Sequence, residues 1–183
     1  MKTLVPIPKF LHELFGTHQH RTELNLIIIF TITSTLAASW TTAPYWLELK
    51  WYQILVLWLI FFDISGGIVS NLSTGTNNYY NAHPKSRWFF IAVHIQPLIL
   101  ATVLESQLSI AIAVWLYTIF SASLINSQRE KVYHRLLAGM LYVAAIIVYI
   151  LCDISLPLPI TLIYLLYMMK LIYSFAVNHT YND

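Results

Sequence analysis

Six long apolar segments constrain this chain more than any other feature of its sequence. Each approaches the roughly 20 mostly apolar residues that a helix needs to cross about 30 Å of hydrocarbon. Only 10% of the 183 residues are charged and 58% are hydrophobic, whereas about 25% are charged in a typical soluble domain. The sequence therefore predicts an all-α, polytopic integral membrane protein. The six predicted spans are Leu24–Ala43, Trp51–Ser70, Trp88–Leu104, Leu108–Ile125, Leu136–Cys152 and Leu156–Val177.

The composition also excludes several classes of partner. A net charge of +2 and the lack of a long basic stretch argue against a nucleic-acid partner. A single cysteine, Cys152, excludes an intrachain disulfide and a CxxC motif. The expected partners are membrane lipids, a lipid-like or small-molecule substrate and, if the chain self-associates, further copies in a homo-oligomer.

The first 23 residues are predicted to form a cytoplasmic tail with a short amphipathic helix on the membrane surface. Phe10, Leu11, Leu14 and Phe15 recur at helical spacing among polar residues. The alternative is a frayed polar tail.

The distribution of Lys and Arg predicts the orientation. With the N-terminus in the cytoplasm, eight basic residues fall on the inner side and only Lys50 on the outer side, as the positive-inside rule requires. We therefore expect a transmembrane domain over residues 24–177, with both termini, including the tail 178–183, in the cytoplasm. The expected location is the plasma membrane, or the inner membrane if the source is bacterial. The eight inner residues are Lys2, Lys9, Arg21, Lys85, Arg87, Arg129, Lys131 and Arg135.

The longest inner loop is predicted over about residues 71–87 and is rich in Asn, Tyr, Ser and Thr. Loops held by a rigid scaffold often carry function. We therefore expect Asn71, Tyr80 and Arg87 to bind substrate. Arg87 suits a phosphate or a carboxylate, because its guanidinium can donate two parallel hydrogen bonds.

Three ionisable side chains lie well inside the predicted spans. At 1.5 Å per residue, Asp63, His94 and Lys170 lie at depths of about 12, 9 and 12 Å from the inner boundary. Such groups cost several kcal/mol unless they are paired or wet, which makes each a candidate site. We expect Asp63 and His94 to be catalytic and Lys170 to contact substrate. The structural alternatives are a snorkelling Lys170, a Lys170–Asp63 pair and a His94 bonded to a backbone carbonyl.

Two glycines follow Asp63 on the same helix. Gly67 and Asn71, four and eight residues on, share the face of Asp63. Gly66 and Ser70 form a small-xxx-small pair, which lets another helix approach closely. The pattern is consistent with tight packing and with space for a ligand beside Asp63.

Asp63, His83 and His94 form the candidate metal-ligand set. Histidine and aspartate suit zinc or iron, and a divalent metal with an open position can activate water. The sequence has no HExxH motif to support such a site.

Three functions remain open from the sequence. The favoured one is a membrane-embedded enzyme, a hydrolase or other lipid-modifying enzyme, which acts on a lipid-like or amphiphilic substrate at a polar cavity open to the cytoplasmic side. The first alternative is a small-solute or proton/cation-coupled transporter or channel, because a buried acid and histidine can relay protons. Transporters often show repeats and broken helices, and no repeat is evident here. The second alternative is an accessory subunit of a membrane complex.

Overall fold

The computed structural model describes residues 4–152 and 154–179. It is 78% helical, and six helices are long and apolar enough to cross a membrane. Their bounds agree with the predicted spans to within four residues. The elements, in chain order, are β1 (Leu4–Pro6), a 3-10 turn (Lys9–Leu11), α1 (His12–Phe15), β2 (His18–His20), α2 (Arg21–Thr41), α3 (Ala43–Trp46), α4 (Trp51–Leu72), α5 (Thr74–Ala82), α6 (Pro84–Val93), α7 (Gln96–Val103), α8 (Leu108–Ser127), α9 (His134–Leu151), α10 (Leu158–Met168) and a π-helix (Met169–Phe175).

The long helices alternate in direction. At one end, Arg87 at the start of α6 donates to Asn126 near the end of α8 at 2.6 Å. At the other end, Gln53 at the start of α4 donates to the Val103 carbonyl at the end of α7, at 2.9 Å. The first of these ends carries the basic loops, and we call it the basic end.

The last span, formed by α10 and the π-helix, lies at the centre of the bundle. It contacts α4, α8 and α9. In the apolar stretch of this span 61% is buried, whereas only 17% is buried in that of α2, which lies at the periphery. Residues placed on the last span are therefore the most enclosed in the molecule.

The N-terminal segment is a small hairpin that is docked on the bundle. Strands β1 and β2 pair in antiparallel fashion with α1 between them. The Leu14 carbonyl accepts hydrogen bonds from the hydroxyls of Ser70 and Thr76, which lie where α4 passes into α5. The expected short helix is present, because the 3-10 turn and α1 follow one another over residues 9–15, with Phe10 and Leu14 exposed; its contact with the membrane surface stays a prediction.

The expected loop over residues 71–87 is helical. Helix α4 runs on to Leu72, and α5 and α6 take up most of the remainder. Side chains from β2 and from the first turn of α2 satisfy the first N–H groups of α5, which have no partner within the helix. The Thr74 N–H donates to Glu23 at 3.3 Å and the Gly75 N–H to Gln19 at 3.2 Å.

The third span is broken near its middle. Pro97, in the first turn of α7, has no N–H, and its ring excludes a continuous helix past the Val93 carbonyl. The chain turns tightly instead, with the Ile95 N–H donating to Val93 at 2.9 Å. His94 has φ −79° and ψ 79°, close to an inverse γ-turn. The expectation of one unbroken helix over Trp88–Leu104 is wrong at this point.

Gly16 provides a test of hairpin docking. Its φ is +74°, and a Cβ there would lie 2.1 Å from the Gly75 carbonyl oxygen. We expect Gly16→Ala to lower the free energy of unfolding by more than about 1 kcal/mol and to expose residues 4–20 to protease. Gly139→Ala is the matched control, because a Cβ there meets nothing within 4 Å. Equal protease resistance of the two variants would contradict the docked arrangement.

Candidate functional site

The centre of the candidate site is an ion pair between two spans. The Lys170 ammonium on the π-helix lies 2.8 Å from Oδ2 of Asp63 on α4. The Lys170 side chain is 2% exposed and that of Asp63 is 44% exposed. Lys170 therefore does not snorkel to the interface, and the alternative of a Lys170–Asp63 pair is confirmed.

Gly67 provides the space for the lysine. A Cβ on Gly67 would lie 2.4 Å from Cε of Lys170, so a larger residue there would push the ammonium away from Asp63. The ammonium also lies 5.8 Å from the centroid of the Phe90 ring, in a cation–π arrangement. Gly66 serves packing instead, since a Cβ there would lie 2.8 Å from Oγ1 of Thr31 on α2. The space beside Asp63 is thus filled by Lys170.

His94 lies at the break in the third span. Its side chain is buried, and its Nδ1 donates to the Phe90 carbonyl. A carbonyl can only accept, so Nδ1 carries the proton and a neutral ring keeps a lone pair on Nε2. The expected bond from His94 to a backbone carbonyl is therefore present.

The site also contains two residues that were not expected from the sequence, Gln96 and Tyr167. Gln96, the first residue of α7, donates from Nε2 to Oδ2 of Asp63 at 3.1 Å. Tyr167 on the last span donates its hydroxyl to the His94 carbonyl at 2.6 Å. That carbonyl lacks a helical partner because the Leu98 N–H donates to the Ile95 carbonyl instead. The sequence signal for both was Pro97, which predicts a helix break beside an intramembrane histidine.

A layer of aromatic rings separates this site from the basic end. Phe90 and Phe175 stack with centroids 3.9 Å apart, and the Tyr80 ring packs edge-on against both. Tyr80 is 1% exposed, and burial raises the pKa of its hydroxyl. Tyr80 therefore belongs to this layer and does not reach Asp63 through any hydrogen bond.

Arg87 lies on the far side of that layer from Asp63. It is 2% exposed, and its Nη2 donates to the carbonyls of Phe175 at 2.7 Å and Ala176 at 2.8 Å. Its guanidinium carbon lies 5.0 Å from the Phe175 centroid. Arg87 thus holds the carbonyl end of the last span, where backbone acceptors have no helical partner.

The expected metal set is not brought together. His83 is exposed at the end of α5, where Nδ1 donates to the Tyr79 carbonyl at 2.7 Å. Across residues 4–152 and 154–179, no three His, Cys, Asp or Glu side chains are grouped so that they could hold a metal ion. The ammonium of Lys170 occupies the position at Asp63 that a cation would take. Asn71 is buried near the end of α4, and its Nδ2 has no hydrogen-bond partner among the described residues.

No protein-family model, curated protein or solved structure matches this chain. Its function is therefore inferred from the geometry of the site.

The ion pair predicts unequal costs for its two halves. We expect Asp63→Leu to lower the free energy of unfolding by about 3–5 kcal/mol, because it leaves a fully buried ammonium without a partner. Lys170→Met should cost less, since the Asp63 carboxylate keeps the hydrogen bond that Gln96 donates to Oδ2. The double variant should recover most of the loss, as apolar replacements of buried pairs often do. A double-mutant cycle in detergent measures this, and strictly additive losses would contradict the coupling.

Proposed function

We propose that this protein is a membrane-embedded enzyme that acts on the polar group of a lipid-like molecule, which reaches Asp63 sideways from the bilayer. The observation that carries the proposal is the open half of the Asp63 carboxylate. Both hydrogen bonds to this group go to Oδ2, and Oδ1 accepts none from the described residues. An acceptor that faces hydrocarbon in mid-span is costly, so a hydrogen-bond donor from an amphiphile would stabilise it.

The surroundings of Asp63 support access from the side. On α4, Leu59 and Phe62 are 59% and 50% exposed; Ile95, just before α7, and Ile99 on α7 are 41% and 42% exposed. These four side chains belong to the apolar surface that a bilayer would cover. Asp63 follows Leu59 by one helical turn on α4, which supports access to its open oxygen from the acyl-chain region.

Neither end of the bundle offers an equivalent route. Towards the basic end, the layer of Tyr80, Phe90 and Phe175 closes the interior. Towards the opposite end, the core is filled by apolar side chains that are at most 7% exposed, Leu57, Ile60, Ile160 and Ile163. A substrate with an apolar tail and a polar group fits this arrangement better than a hydrated solute.

The groups around Asp63 are suited to proton transfer. A hydroxyl of the amphiphile can donate to Oδ1 of Asp63. The free Nε2 of His94 can act as a general base, and the Lys170 ammonium can stabilise negative charge that develops nearby. His94 and Lys170 lie against the same ring, with the His94 and Phe90 centroids 3.9 Å apart. Acid–base chemistry is therefore the reaction class that we assign.

A second candidate function, coupled transport, is favoured by one observation. The break at His94 directly precedes Gln96, which donates to Asp63, and Lys170 lies on the π-helix that begins at Met169. Transporters place discontinuous helices around their binding sites, and π-turns often occur at functional sites. Movement at the break would shift Gln96 relative to Asp63 and to the last span.

Carbodiimides of different polarity test access to Asp63. We expect the lipid-soluble dicyclohexylcarbodiimide to label Asp63 in proteoliposomes at mildly acidic pH, because the carboxyl is reached from the bilayer. A water-soluble carbodiimide should label the exposed Glu48 and leave Asp63 unmodified. Peptide mass spectrometry locates each adduct, with Asp63→Asn as the control. Labelling of Asp63 by the water-soluble reagent would show an aqueous route and contradict side access.

Lipid conversion distinguishes an enzyme from a carrier. We expect wild-type protein in liposomes of mixed phospholipids, glycolipids and isoprenoid lipids to change the mass spectrum of one lipid class over time. Asp63→Asn and His94→Gln should each lower that rate by about 100-fold or more, the usual contribution of an acid–base group. Glu48→Gln is the control for a carboxyl-to-amide change outside the site. An unchanged lipid spectrum together with an Asp63-dependent proton flux, read by a trapped pH-sensitive dye, would favour transport.

A further inference from the structure

A second polar cavity lies at the basic end, on the other side of the aromatic layer from Asp63. It has a volume of about 360 Å³ and is formed by the first turns of α6 and by the end of α8 with the chain that follows it. Three of its side chains are basic and one, the exposed Glu130, is acidic. The residues that line it are Pro84, Arg87, Trp88, Asn126, Ser127, Arg129, Glu130 and Lys131.

Two guanidinium nitrogens of this cavity have no acceptor. Arg87 is 2% exposed and donates from Nε and Nη2, while Nη1 donates to none of the described residues. Nε of Arg129 is buried and has no partner within the same part of the chain, although Nη2 donates to Asn81. A buried donor without an acceptor, such as Nε of Arg129, is rare in native proteins and indicates a missing ligand, ion or water.

The charges of the cavity favour an anion as that ligand. The Arg87 and Arg129 guanidiniums line one cavity, and like charges in a desolvated place repel each other. Burial lowers the pKa of Arg129, which means that its charged form lacks the stabilisation that water would give. An anion between the two groups would supply acceptors for both free nitrogens and offset the repulsion.

We propose that this cavity binds a phosphate group. Phosphate presents several acceptor oxygens in a geometry that matches forked guanidinium donors, and Lys131 on the cavity wall adds a third cation. The site goes beyond the proposed enzymatic function, because the aromatic layer of Tyr80, Phe90 and Phe175 separates it from Asp63.

The phosphate has two possible sources. Trp88 lines the cavity and is 46% exposed, and tryptophan is typical of the level of lipid headgroups. A phospholipid could therefore place its headgroup in the cavity, as basic pockets between spans do. A soluble phosphate compound could enter the same cavity from the aqueous side.

The test compares two probes with one matched set of variants. Delipidated full-length protein is placed in detergent with inorganic phosphate, at constant ionic strength set with chloride, and in detergent with added phosphatidylglycerol or, for comparison, with a phosphate-free glycolipid. Thermal stability and, for the lipid, native mass spectrometry measure binding. The variants are Arg129→Gln and Lys131→Gln, since Arg87 also holds the last span. Lys85→Gln is the control, because it removes the same charge from an exposed position outside the cavity.

We expect Arg129→Gln to weaken binding of the effective probe by about tenfold or more, the usual effect of losing a charged hydrogen bond, and Lys131→Gln to weaken it less. Lys85→Gln should bind as the wild type does. Stabilisation by phosphatidylglycerol alone assigns the site to a lipid headgroup, and stabilisation by inorganic phosphate assigns it to a soluble ligand. The proposal is overturned if neither probe binds, or if all three variants lose binding equally, since that would be general surface attraction. Neither result bears on lipid conversion at Asp63.

Discussion

The rest of the candidate site depends on one constraint, an ammonium group that is buried in the middle of a membrane span. The side chain of Lys170 is 2% exposed, and such a charge is too costly to leave without an opposite charge and hydrogen bonds. Asp63 on α4 provides the charge, and Gly67 on the same helix provides the space. Gln96 reaches the same carboxylate oxygen because the third span breaks just before it.

The second buried cation is stabilised in a different way. Arg87 has no carboxylate partner in the described structure and donates instead to Asn126 and to backbone carbonyls at the end of the last span. The C-terminal end of a helix carries free acceptors and partial negative charge, so a guanidinium is stable there. The central span is thus fixed by a cation at each of two levels, with Phe90 and Phe175 stacked between them. One level leaves a carboxylate oxygen open, and the other leaves guanidinium donors open.

Simple arithmetic on helical rise predicted the level of the site but not its shape. Counting residues placed Asp63, His94 and Lys170 at similar depths, and in the structure Lys170 pairs with Asp63 while His94 lies against the same Phe90 ring as Lys170. Depth fixes position only along the membrane normal, and it carries no information about Arg87, which was expected to bind the same substrate but is separated from Asp63 by an aromatic layer. Pro97 could have predicted the break. The docking of Leu14 on the α4–α5 junction depends on contacts between residues that are far apart in the sequence, and local sequence patterns do not predict such contacts.

The two groups with unpaired atoms, the Asp63 carboxylate and the guanidiniums of the basic end, lie at different depths in the bundle and require different partners. A carboxylate oxygen in hydrocarbon requires a donor that is itself carried into the bilayer, which restricts its partners to amphiphiles. Guanidinium donors at the level of Trp88 require an acceptor, and acceptors are abundant there in phosphate headgroups. A lipid-like molecule meets each requirement at a different depth, while a hydrated ion meets only the second. The proposals of lipid-like ligands therefore rest on the chemistry of the unpaired atoms more than on the hydropathy of the chain.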